Sequence, residues 1–416
     1  MSRKVNGTME IAIAYVSLVV PDTPEFENPS VHPLGIGYMR NVLIALKSVP
    51  SAEVESFSAE PMLSFPRGNR LLVRGRELRL SEGTSTSTVT FVNLTPLKQF
   101  HIGLSMVWHL VGWGIRSRGK QHRVVFSFNL SVPHLAFTVA AARLTGAKLL
   151  AYICDLNVPG ETVPRNMLYR IDAWMARKML KYVEGAIVIC DAIARDYLPG
   201  RSYIRMDGGV TRQVIEETGR LLEVRQRPEG RFTIVATGAL REFNGIREIL
   251  AAFARLEEPQ YRLIVAGRGP LGADVEAAAK SDPRIEFRGF MDHKDVLALH
   301  AEADVLVSMR ITQSVNTAYA FPSKTFEYLL SGVPVITTAT GHMKAEYGPY
   351  CFILEEESPR ALAALLQRIE QLGPFERARI GLAGRQFIIG YKAWEAQHTR
   401  IAEYVRSQCI AHKSSR

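Results

Sequence analysis

The 416-residue sequence has few cysteines, and their positions exclude two common kinds of site. Cys154, Cys190, Cys351 and Cys409 are scattered, and no two of them form a CxxC pair. Neither a zinc site nor a disulfide framework is therefore expected, and a reduced, cytoplasmic compartment is the simplest interpretation. The histidines include no pair four residues apart and no HExxH motif, so a helical metal site is not expected either.

Long hydrophobic runs are also missing. The apolar stretch at 100–115 is shorter than the roughly 20 residues of a transmembrane helix, and it contains His101 and His109. It is either a buried helix or a helix that lies in a membrane interface. Residues 11–20 follow a basic N-terminus, but no small-residue cleavage site comes after them, so the pattern of a signal peptide is incomplete. They are β-branched and of strand length, which predicts the first core strand of an α/β sheet.

Acidic residues are scarce between 62 and 130, where only Glu77 and Glu82 oppose ten basic residues. The same segment contains Trp108 and Trp113, and basic residues beside interfacial tryptophans suit an anionic membrane surface. A solvated basic face beside an ordinary core helix remains an equal alternative. Nucleic acid is disfavoured because no recognised nucleic-acid module accompanies the charge. The ten basic residues are Arg67, Arg70, Arg74, Arg76, Arg79, Lys98, Arg116, Arg118, Lys120 and Arg123.

The chain does contain alternating strands and helices, most clearly from residue 231 onward. Repeated alternation predicts parallel sheets covered by helices on both faces, with the carboxyl ends of the strands at one edge. Ligands bind at that edge. Helices are predicted at 246–256, 294–303 and in a final segment, 391–408. Strands are predicted at 10–17, 122–128, 148–154, 185–190, 231–240, 261–269, 284–290, 304–310 and 333–339.

The predicted fold class is α/β, with two Rossmann-like, doubly wound parallel-sheet domains that face a cleft. The first domain spans 1–211 and carries an insertion at about 62–121. A linker at 212–230 leads to a second domain at 231–390. Residues 391–416 are a C-terminal helix and tail that can pack back on the first domain. The length of the chain suits two domains of this size.

Basic residues and glycines cluster at the predicted strand ends of the second domain. Glycines allow backbone N–H groups to approach a ligand closely, and several cations near them suit a diphosphate. Glu327 cannot favour phosphate by charge, but it can accept hydrogen bonds from the hydroxyls of a ribose. The implied ligand is a nucleoside diphosphate with a substituent, although such glycines also occur for packing alone and Glu327 could cap its own helix. The residues concerned are Gly238, Arg241, Gly267, Arg268, Gly269, Phe290, Arg310, Ser323, Lys324 and Glu327.

Three segments carry a resemblance to a known family. They are "TGALREFNGIREILAAF", "SMR…AFPSKTFEYLLSGVPVITT" and "EYGPYCFILEEES". Residues 232–370 resemble the donor half of the retaining, nucleotide-sugar-dependent glycosyltransferases of family 4, which have the GT-B fold. More narrowly, they resemble a bacterial branch of exopolysaccharide and cell-surface glycan assembly. The resemblance implies a sugar donor bound by the second domain, and a glycan or lipid-linked acceptor bound by the first.

The resemblance also implies roles for single residues. Glu327 matches the second glutamate of the family's two-glutamate motif, which binds the nucleotide ribose, while Tyr319 stands in the place of the first. Gly35 and Gly37, in "HPLGIGYM", match the glycine loop of the first domain that approaches the donor phosphates. Asn244 stands where the family has its phosphate lysine.

The family's arginine after Gly238 is replaced by Ala239, with Arg241 two residues on. Arg241, Arg310 and Lys324 are therefore expected to replace the usual diphosphate clamp.

Two further expectations concern the reaction itself. Asp155 is expected to contact the acceptor or the transferred sugar, with Asn129 and the weaker candidate His134 nearby. Neither a DxD motif nor a pair of carboxylates of the glycosidase type is apparent, so transfer without a metal ion and without double displacement is expected. The nucleotide sugar is expected as a substrate, without a tightly bound cofactor.

Other functions remain open at this stage. A nucleotide-sugar epimerase of the same fold would need acid and base groups in the cleft, and no clear set is present. A catalytically silent subunit that binds a nucleotide or a partner is compatible with Asn244 and Tyr319. A nicotinamide oxidoreductase is disfavoured because the glycine turn after residue 235 lacks a GxGxxG pattern.

Overall fold

The structure, a computed structural model, describes residues 10–26, 33–129, 134–154, 167–224, 230–313, 317–319 and 321–410. The chain divides into two compact units. The first unit is Met1–Asp207 together with Gln397–Arg416, and the second unit is Gly208–Ala396. Among the described residues, no helix is long and apolar enough to cross a membrane.

The first unit is built on an eight-stranded sheet with the order β10-β9-β8-β7-β1-β2-β5-β4. All neighbouring strands are parallel except the pair β4 and β5, and β3 pairs with β6 separately. Every residue of β1 is buried, as expected for a central parallel strand that is covered on both faces. The strands are β1 (Ile11–Ser17), β2 (Ala52–Ser58), β3 (Leu72–Val73), β4 (Glu77–Arg79), β5 (Ser85–Thr88), β6 (Phe91–Val92), β7 (His122–Phe128), β8 (Lys148–Ile153), β9 (Gly185–Val188) and β10 (Ser202–Arg205).

Five helices lie wholly in the first unit, within the part of the chain that is described. They are α1 (Pro33–Lys47), α2 (Leu97–Arg116), α3 (His134–Thr145), α4 (Met167–Leu180) and α5 (Asp191–Tyr197). α3 contacts both α2 and α4, so these three helices are neighbours. The predicted insertion at 62–121 contains β3 to β6 and then α2, which leads into β7.

The second unit has a six-stranded, fully parallel sheet with the order β13-β12-β11-β14-β15-β16. The chain first adds strands on one side of β11 and then returns to add β14 on the other side. The point between β11 and β14 is therefore the topological switch, where doubly wound sheets bind their ligands at the carboxyl ends. The strands are β11 (Phe232–Thr237), β12 (Tyr261–Ala266), β13 (Ile285–Phe287), β14 (Val305–Ser308), β15 (Val335–Thr338) and β16 (Phe352–Leu354).

Alternate residues of these strands enter two separate cores. Ile234 and Val305 belong to one hydrophobic cluster, and Val235 and Leu306 belong to the other, because neighbouring side chains point to opposite faces. The helices are α6 (Arg212–Glu223), α7 (Ile246–Phe253), α8 (Gly272–Ser281), α9 (His293–Glu302), α10 (Lys324–Leu330), α11 (Met343–Tyr347), α12 (Pro359–Gln371) and α13 (Gly373–Lys392).

One prediction about local structure is wrong. The glycine loop is a helix, because Gly35 and Gly37 lie in the first turns of α1. The final helix predicted at 391–408 is confirmed as α14 (Trp394–Ile410), which an extended residue, Ala393, separates from α13. In the first unit, α14 is held by the Tyr404 hydroxyl, which donates a hydrogen bond to the Ser202 carbonyl at 2.8 Å.

Candidate functional site

Lys324 is the residue on which the candidate site is centred. It begins α10, and its ammonium donates a hydrogen bond to the carbonyl oxygen of Thr237, the last residue of β11, at 3.0 Å. The ammonium therefore lies at the carboxyl end of β11, beside the topological switch. Burial lowers the pKa of Lys324; the charge of Glu327 raises it and that of Arg310 lowers it further, and the net shift is downward. A half-buried cation at this edge of the sheet is suited to bind an anion.

Three glycines make room for this arrangement. Gly238 has φ +125°, and a Cβ at this position would lie 1.1 Å from the Lys324 ammonium nitrogen. A Cβ at Gly267 would lie 1.8 Å from the Gly238 carbonyl oxygen, and one at Gly269 would lie 2.4 Å from the Leu240 oxygen. The turns after β11 and β12 thus pack directly on each other.

Gly267 and Gly269 open a GxGxxG pattern, 267–272, that follows β12. This second glycine turn therefore has the pattern that the turn after residue 235 lacks. Close backbone packing explains its first two glycines without a dinucleotide.

Arg310 follows β14, on the other side of the switch. Its backbone N–H donates a hydrogen bond to the Thr338 hydroxyl at 3.0 Å, and its guanidinium lies 5.6 Å from the centre of the Phe243 ring. Burial lowers the pKa of Arg310. In the described part of the chain, neither Arg310 nor Lys324 has a carboxylate within ion-pair distance, so both cations remain available to an anionic ligand.

Glu327 does not cap its own helix. Its Oε1 lies 3.1 Å from Nε2 of His293, at the start of α9. Burial raises the pKa of the Glu327 carboxyl, but the hydrogen bond and charge of His293, and the charges of His300 and Lys324, outweigh that effect and lower it overall. In turn, the hydrogen bond to Glu327 raises the pKa of His293. The second carboxylate oxygen of Glu327 has no hydrogen-bond partner among the described residues.

The other predicted residues of the second unit lie at its surface. Arg241 is exposed and precedes the 3-10 turn Glu242–Asn244. Arg268 is exposed, and its guanidinium lies 4.7 Å from the centre of the Phe290 ring, which is itself exposed. Ser323 is exposed and makes no capping hydrogen bond. The structure therefore brings Lys324, Arg310 and Glu327 together, and leaves these four side chains at the rim.

Asn244, which stands in the place of the family's phosphate lysine, has a structural contact. Its side-chain amide donates a hydrogen bond to the Ala239 carbonyl at 2.7 Å and so closes the turn after β11. Gly245, the next residue, adopts a left-handed φ of +67°. This turn supplies no cation of its own, so the positive charge near β11 comes from Lys324.

Candidates in the first unit have a weaker basis. Asp155 lies outside the described residues. Asn129 follows β7 with a left-handed φ of +59°. His134 begins α3, where its ring contacts the Gln99 side chain and burial lowers its pKa to about 4. This contact favours a structural role for His134 over a catalytic one.

The basic segment 62–130 differs from its prediction in two ways. Trp113 is buried at 1% exposure, so only Trp108, at 79%, reaches the surface. Several of the cations pair with carboxylates that precede the segment, which the count within the segment could not include. The pairs are Arg70 with Glu60, Arg76 with Glu25 and Glu60, Arg116 with Glu55, and Lys120 with Glu10 and Glu53.

Four residues next to Lys324 were not anticipated from the sequence: Thr237, His293, His300 and Tyr328. Thr237 N–H donates a hydrogen bond to the Tyr328 hydroxyl at 2.9 Å, and the Thr237 hydroxyl lies 3.0 Å from His300 Nε2. These residues are far apart in the chain and meet only through the parallel sheet. The one available signal was the position of His293 at the start of a helix that follows a strand.

Comparison with known proteins finds one family that matches the segment carrying this arrangement. Residues 231–371, which include Lys324, Arg310 and Glu327, match the family described as glycosyl transferases group 1. No curated protein is similar enough in sequence to count as a match.

Solved structures extend the likeness to the whole chain. Sucrose-phosphate synthase from Thermosynechococcus elongatus is 17% identical with a TM-score of 0.63, over 97% of this chain and 100% of that chain. A glycosyltransferase from Rickettsia africae is 14% identical with a TM-score of 0.63, over 96% and 99%. Anabaena HepE in complex with UDP is 14% identical with a TM-score of 0.60, over 95% and 100%. At these identities the likeness concerns the fold. The predicted GT-B fold class is thereby confirmed, and the match to the group 1 glycosyl transferases covers residues 231–371.

Proposed function

We propose that the enzyme moves a sugar from a nucleoside-diphosphate sugar to an acceptor hydroxyl with retention of configuration. The observation that carries this proposal is the pair of partly buried cations, Lys324 and Arg310, on the two sides of the topological switch. Because neither forms an ion pair with a described carboxylate, a diphosphate would supply the missing counter-charge. Glu327 is next to them and can accept hydrogen bonds from the ribose. Anabaena HepE, which shares the fold, was solved with UDP, and UDP is therefore the first nucleotide to test.

The chemistry follows from where charge develops. As the bond from the anomeric carbon to the diphosphate oxygen breaks, its electron pair leaves with the phosphate. The acceptor oxygen forms its bond to the same carbon on the same face, and its proton passes to the departing phosphate oxygen. Lys324 and Arg310 would stabilise the growing negative charge, and one such donor contributes about 2.7–4 kcal/mol to the transition state. With this charge supplied by side chains, we expect turnover to survive chelation of divalent metal ions.

A thermal-shift panel of UDP, GDP, ADP and dTDP tests the donor site. One nucleotide is expected to raise the Tm of the wild type, and Glu327→Ala should reduce that shift. Glu355→Ala is the matched control, because Glu355 is an exposed carboxylate that pairs with Lys344. A shift unchanged in Glu327→Ala would contradict the ribose role. Binding without turnover of any nucleotide sugar would favour the silent-subunit alternative, and epimerised donor as the product would favour an epimerase.

We also propose that the acceptor is a glycan or lipid-linked glycan of surface polysaccharide synthesis, and that the enzyme works at the cytoplasmic face of the cell membrane. A two-sided helix in the first unit supports this proposal. α2 buries one face, with Met106, Leu110 and Trp113. On its other face Phe100, Leu104 and Trp108 are 54%, 54% and 79% exposed. These residues follow each other at intervals of four, which places them in one stripe along the helix.

A second exposed stripe lies on α4, two helices away. Met167, Ile171 and Trp174 are 69%, 47% and 62% exposed, again at helical spacing. Thirteen of the twenty-two large apolar side chains that are exposed in the described part of the chain lie between residues 65 and 174, which concentrates them in the first unit. Exposed apolar patches of this kind mark interaction sites.

The charges on the first unit support an anionic lipid surface as the partner. Arg177 and Lys178 are exposed on α4, with the Lys178 ammonium 5.8 Å from the centre of the Trp174 ring. Arg74 and Arg118 are exposed and have no carboxylate partner among the described residues. Apolar side chains flanked by cations suit a surface on which tryptophans enter the interface and arginines meet phosphate headgroups.

Vesicle sedimentation tests the membrane proposal. The enzyme should bind vesicles of phosphatidylcholine with phosphatidylglycerol at low salt, and bind vesicles of phosphatidylcholine alone more weakly. Trp108→Ala with Trp174→Ala should reduce binding, whereas Phe375→Ala, which removes an 84% exposed ring from the second unit, should not. Equal binding by the wild type and the double variant would contradict the proposed surface.

A further inference from the structure

A buried polar cluster lies directly behind the Lys324 ammonium, and the proposed chemistry does not use it. Its members are Thr237 at the end of β11, Tyr328 on α10 and His300 on α9. Tyr328 and His300 are each only 1% exposed. Burying a hydroxyl or an imidazole is unfavourable unless it is hydrogen-bonded, so these side chains depend on the hydrogen bonds within the cluster.

The hydrogen bonds of the cluster form a directed chain. Thr237 N–H donates to the Tyr328 hydroxyl oxygen at 2.9 Å, so the Tyr328 proton is free to point elsewhere. The Tyr328 hydroxyl lies 3.1 Å from the Thr237 hydroxyl, which lies 3.0 Å from His300 Nε2. The single Tyr328 proton is donated to the Thr237 hydroxyl or, at 3.3 Å, to the Thr237 carbonyl, and the Thr237 hydroxyl donates to an unprotonated Nε2. Burial lowers the pKa of His300 to about 4, which keeps the ring neutral and Nε2 able to accept.

Packing makes the chain rigid. The ring of His300 meets the ring of Tyr328 edge-on, with 4.7 Å between their centres. Nδ1 of His300 is buried and has no hydrogen-bond partner among the described residues, so the ring joins the network through Nε2 alone. The hydrogen bonds from Tyr328 through Thr237 to His300 Nε2 restrict the local geometry.

The Thr237 carbonyl, whose oxygen lies 3.3 Å from the Tyr328 hydroxyl, also orients Lys324. The Thr237 carbonyl accepts the hydrogen bond from the Lys324 ammonium at 3.0 Å, and Gly238 leaves the space that this ammonium fills. A shift of the Thr237 carbonyl would therefore move the cation. We propose that Tyr328 and His300 are positioning residues, which hold the Thr237 carbonyl and so place the Lys324 ammonium for the donor diphosphate. This inference rests on the proposed function of Lys324.

A double-mutant cycle tests the coupling. Dissociation constants are measured for wild type, Tyr328→Phe, Lys324→Met and the double variant, by titration calorimetry with UDP and with uridine. If UDP does not bind, whichever of GDP, ADP and dTDP shifts the Tm is used with its nucleoside. Tyr328→Phe should weaken diphosphate binding about fivefold and leave nucleoside binding unchanged, since it disturbs one hydrogen-bonded position. In the Lys324→Met background, Tyr328→Phe should have no further effect on the diphosphate.

Two more variants keep the result interpretable. Thr237→Val removes the central hydroxyl while keeping the shape of the side chain, and it should repeat the Tyr328→Phe result if that variant folds poorly. Tyr261→Phe is the matched control, because its buried hydroxyl is bonded to Glu370 at the opposite end of the sheet. It should lower stability without changing nucleotide affinity.

The outcomes separate the two proposals. Equal loss of diphosphate binding with and without Lys324, or equal loss for diphosphate and nucleoside, would overturn the positioning role. If Lys324→Met binds the nucleoside diphosphate as tightly as the wild type does, the proposed role of Lys324 in diphosphate binding would be overturned instead.

Discussion

The two units of this protein treat their positive charges differently. In the first unit, Arg76 and Arg116 lie at the surface and pair with carboxylates, with side chains that are 42% and 58% exposed. In the second unit, Arg310 and Lys324 are partly buried and form no ion pair in the described part of the chain. Surface pairs contribute about 0–1 kcal/mol each to stability, whereas a buried cation without a counter-charge is costly. The difference indicates that the second unit keeps its cations for a ligand.

The proposed membrane surface of the first unit would use charge differently. Each exposed cation would add a small attraction to an anionic surface, and none would need a fixed position. The two proposed sites therefore differ in precision. The donor site would depend on the position of single atoms, and the membrane surface on total charge and apolar area.

The largest effect is expected from removing the cation at the centre of the second unit. Lys324→Met keeps the length of the side chain and removes its charge, so kcat/KM for the nucleotide sugar should fall by about 100-fold to 1,000-fold. Lys344→Met is the control, because Lys344 is exposed and pairs with Glu355. If both variants retain wild-type kcat/KM, the comparison between the two units has no functional meaning.

This site could be predicted only in part from the sequence. The strands of the second unit were predictable because buried parallel strands are continuous β-branched runs, as in β11. The sequence placed Lys324 and Glu327 near the strand ends, but it could not place His293, which reaches Glu327 across 34 residues. Contacts of that kind depend on how α9 and α10 lie on the sheet.

The first unit was harder to predict for two reasons. β2 has the sequence AEVESFS, in which Glu53 and Glu55 interrupt the apolar run and conceal a strand of the sheet. Both glutamates pair with cations beyond the strand, Lys120 and Arg116. The charge counted within the basic segment 62–130 therefore overstated its net positive charge in the folded unit. Trp108 and Trp113 are five residues apart, so they lie on different faces of α2, and only one is exposed.

A second prediction tests the additive character of the charge in the first unit. Arg74→Gln with Arg118→Gln should weaken binding to anionic vesicles by about 25-fold at low salt, because each basic residue near such a surface contributes about 1 kcal/mol. The effect should shrink at high salt, where charges are screened. The measurement is the partition coefficient in sedimentation, and kcat/KM for a water-soluble acceptor should be unchanged. Vesicle binding that does not depend on salt would contradict an electrostatic contribution from these arginines.

A third prediction concerns the room that Gly238 leaves for Lys324. In Gly238→Ala the new methyl group would occupy the place of the ammonium, so Lys324 must move. Nucleoside-diphosphate affinity should fall about tenfold, since a charge-assisted hydrogen bond is lost or distorted. The left-handed φ of +125° adds strain of about 1–3 kcal/mol, which denaturant unfolding would detect. Gly272→Ala is the control, because a Cβ there meets open space. Wild-type affinity in Gly238→Ala would show that the ammonium position does not matter.

The smallest effect is expected from the pair Glu327 and His293, and it depends on pH. The pKa of Glu327 is lowered from 4.5, so its stabilisation is present above that value and is lost as pH falls through the folded pKa. The pKa of His293 is raised from 6.5, so its stabilisation is present below that value and is lost as pH rises through the folded pKa. The pair should therefore stabilise the second unit most between about pH 4.5 and 6.5.

Glu327→Gln should thus lower the free energy of unfolding by less than about 1 kcal/mol at pH 5.5, because the His293 side chain is 53% exposed and solvent screens the pair. As the pH is raised to 8 and His293 loses its proton, the difference should shrink. Urea unfolding of wild type and variant at the two pH values measures this difference in the free energy of unfolding. Glu302→Gln is the control, because Glu302 is an exposed carboxylate on α9, the helix that contains His293. An equal loss at both pH values would mean that Glu327 stabilises the unit by packing. The ribose-binding role would then have to rest on the nucleotide titrations, because the carboxylate would no longer be held by a charged partner.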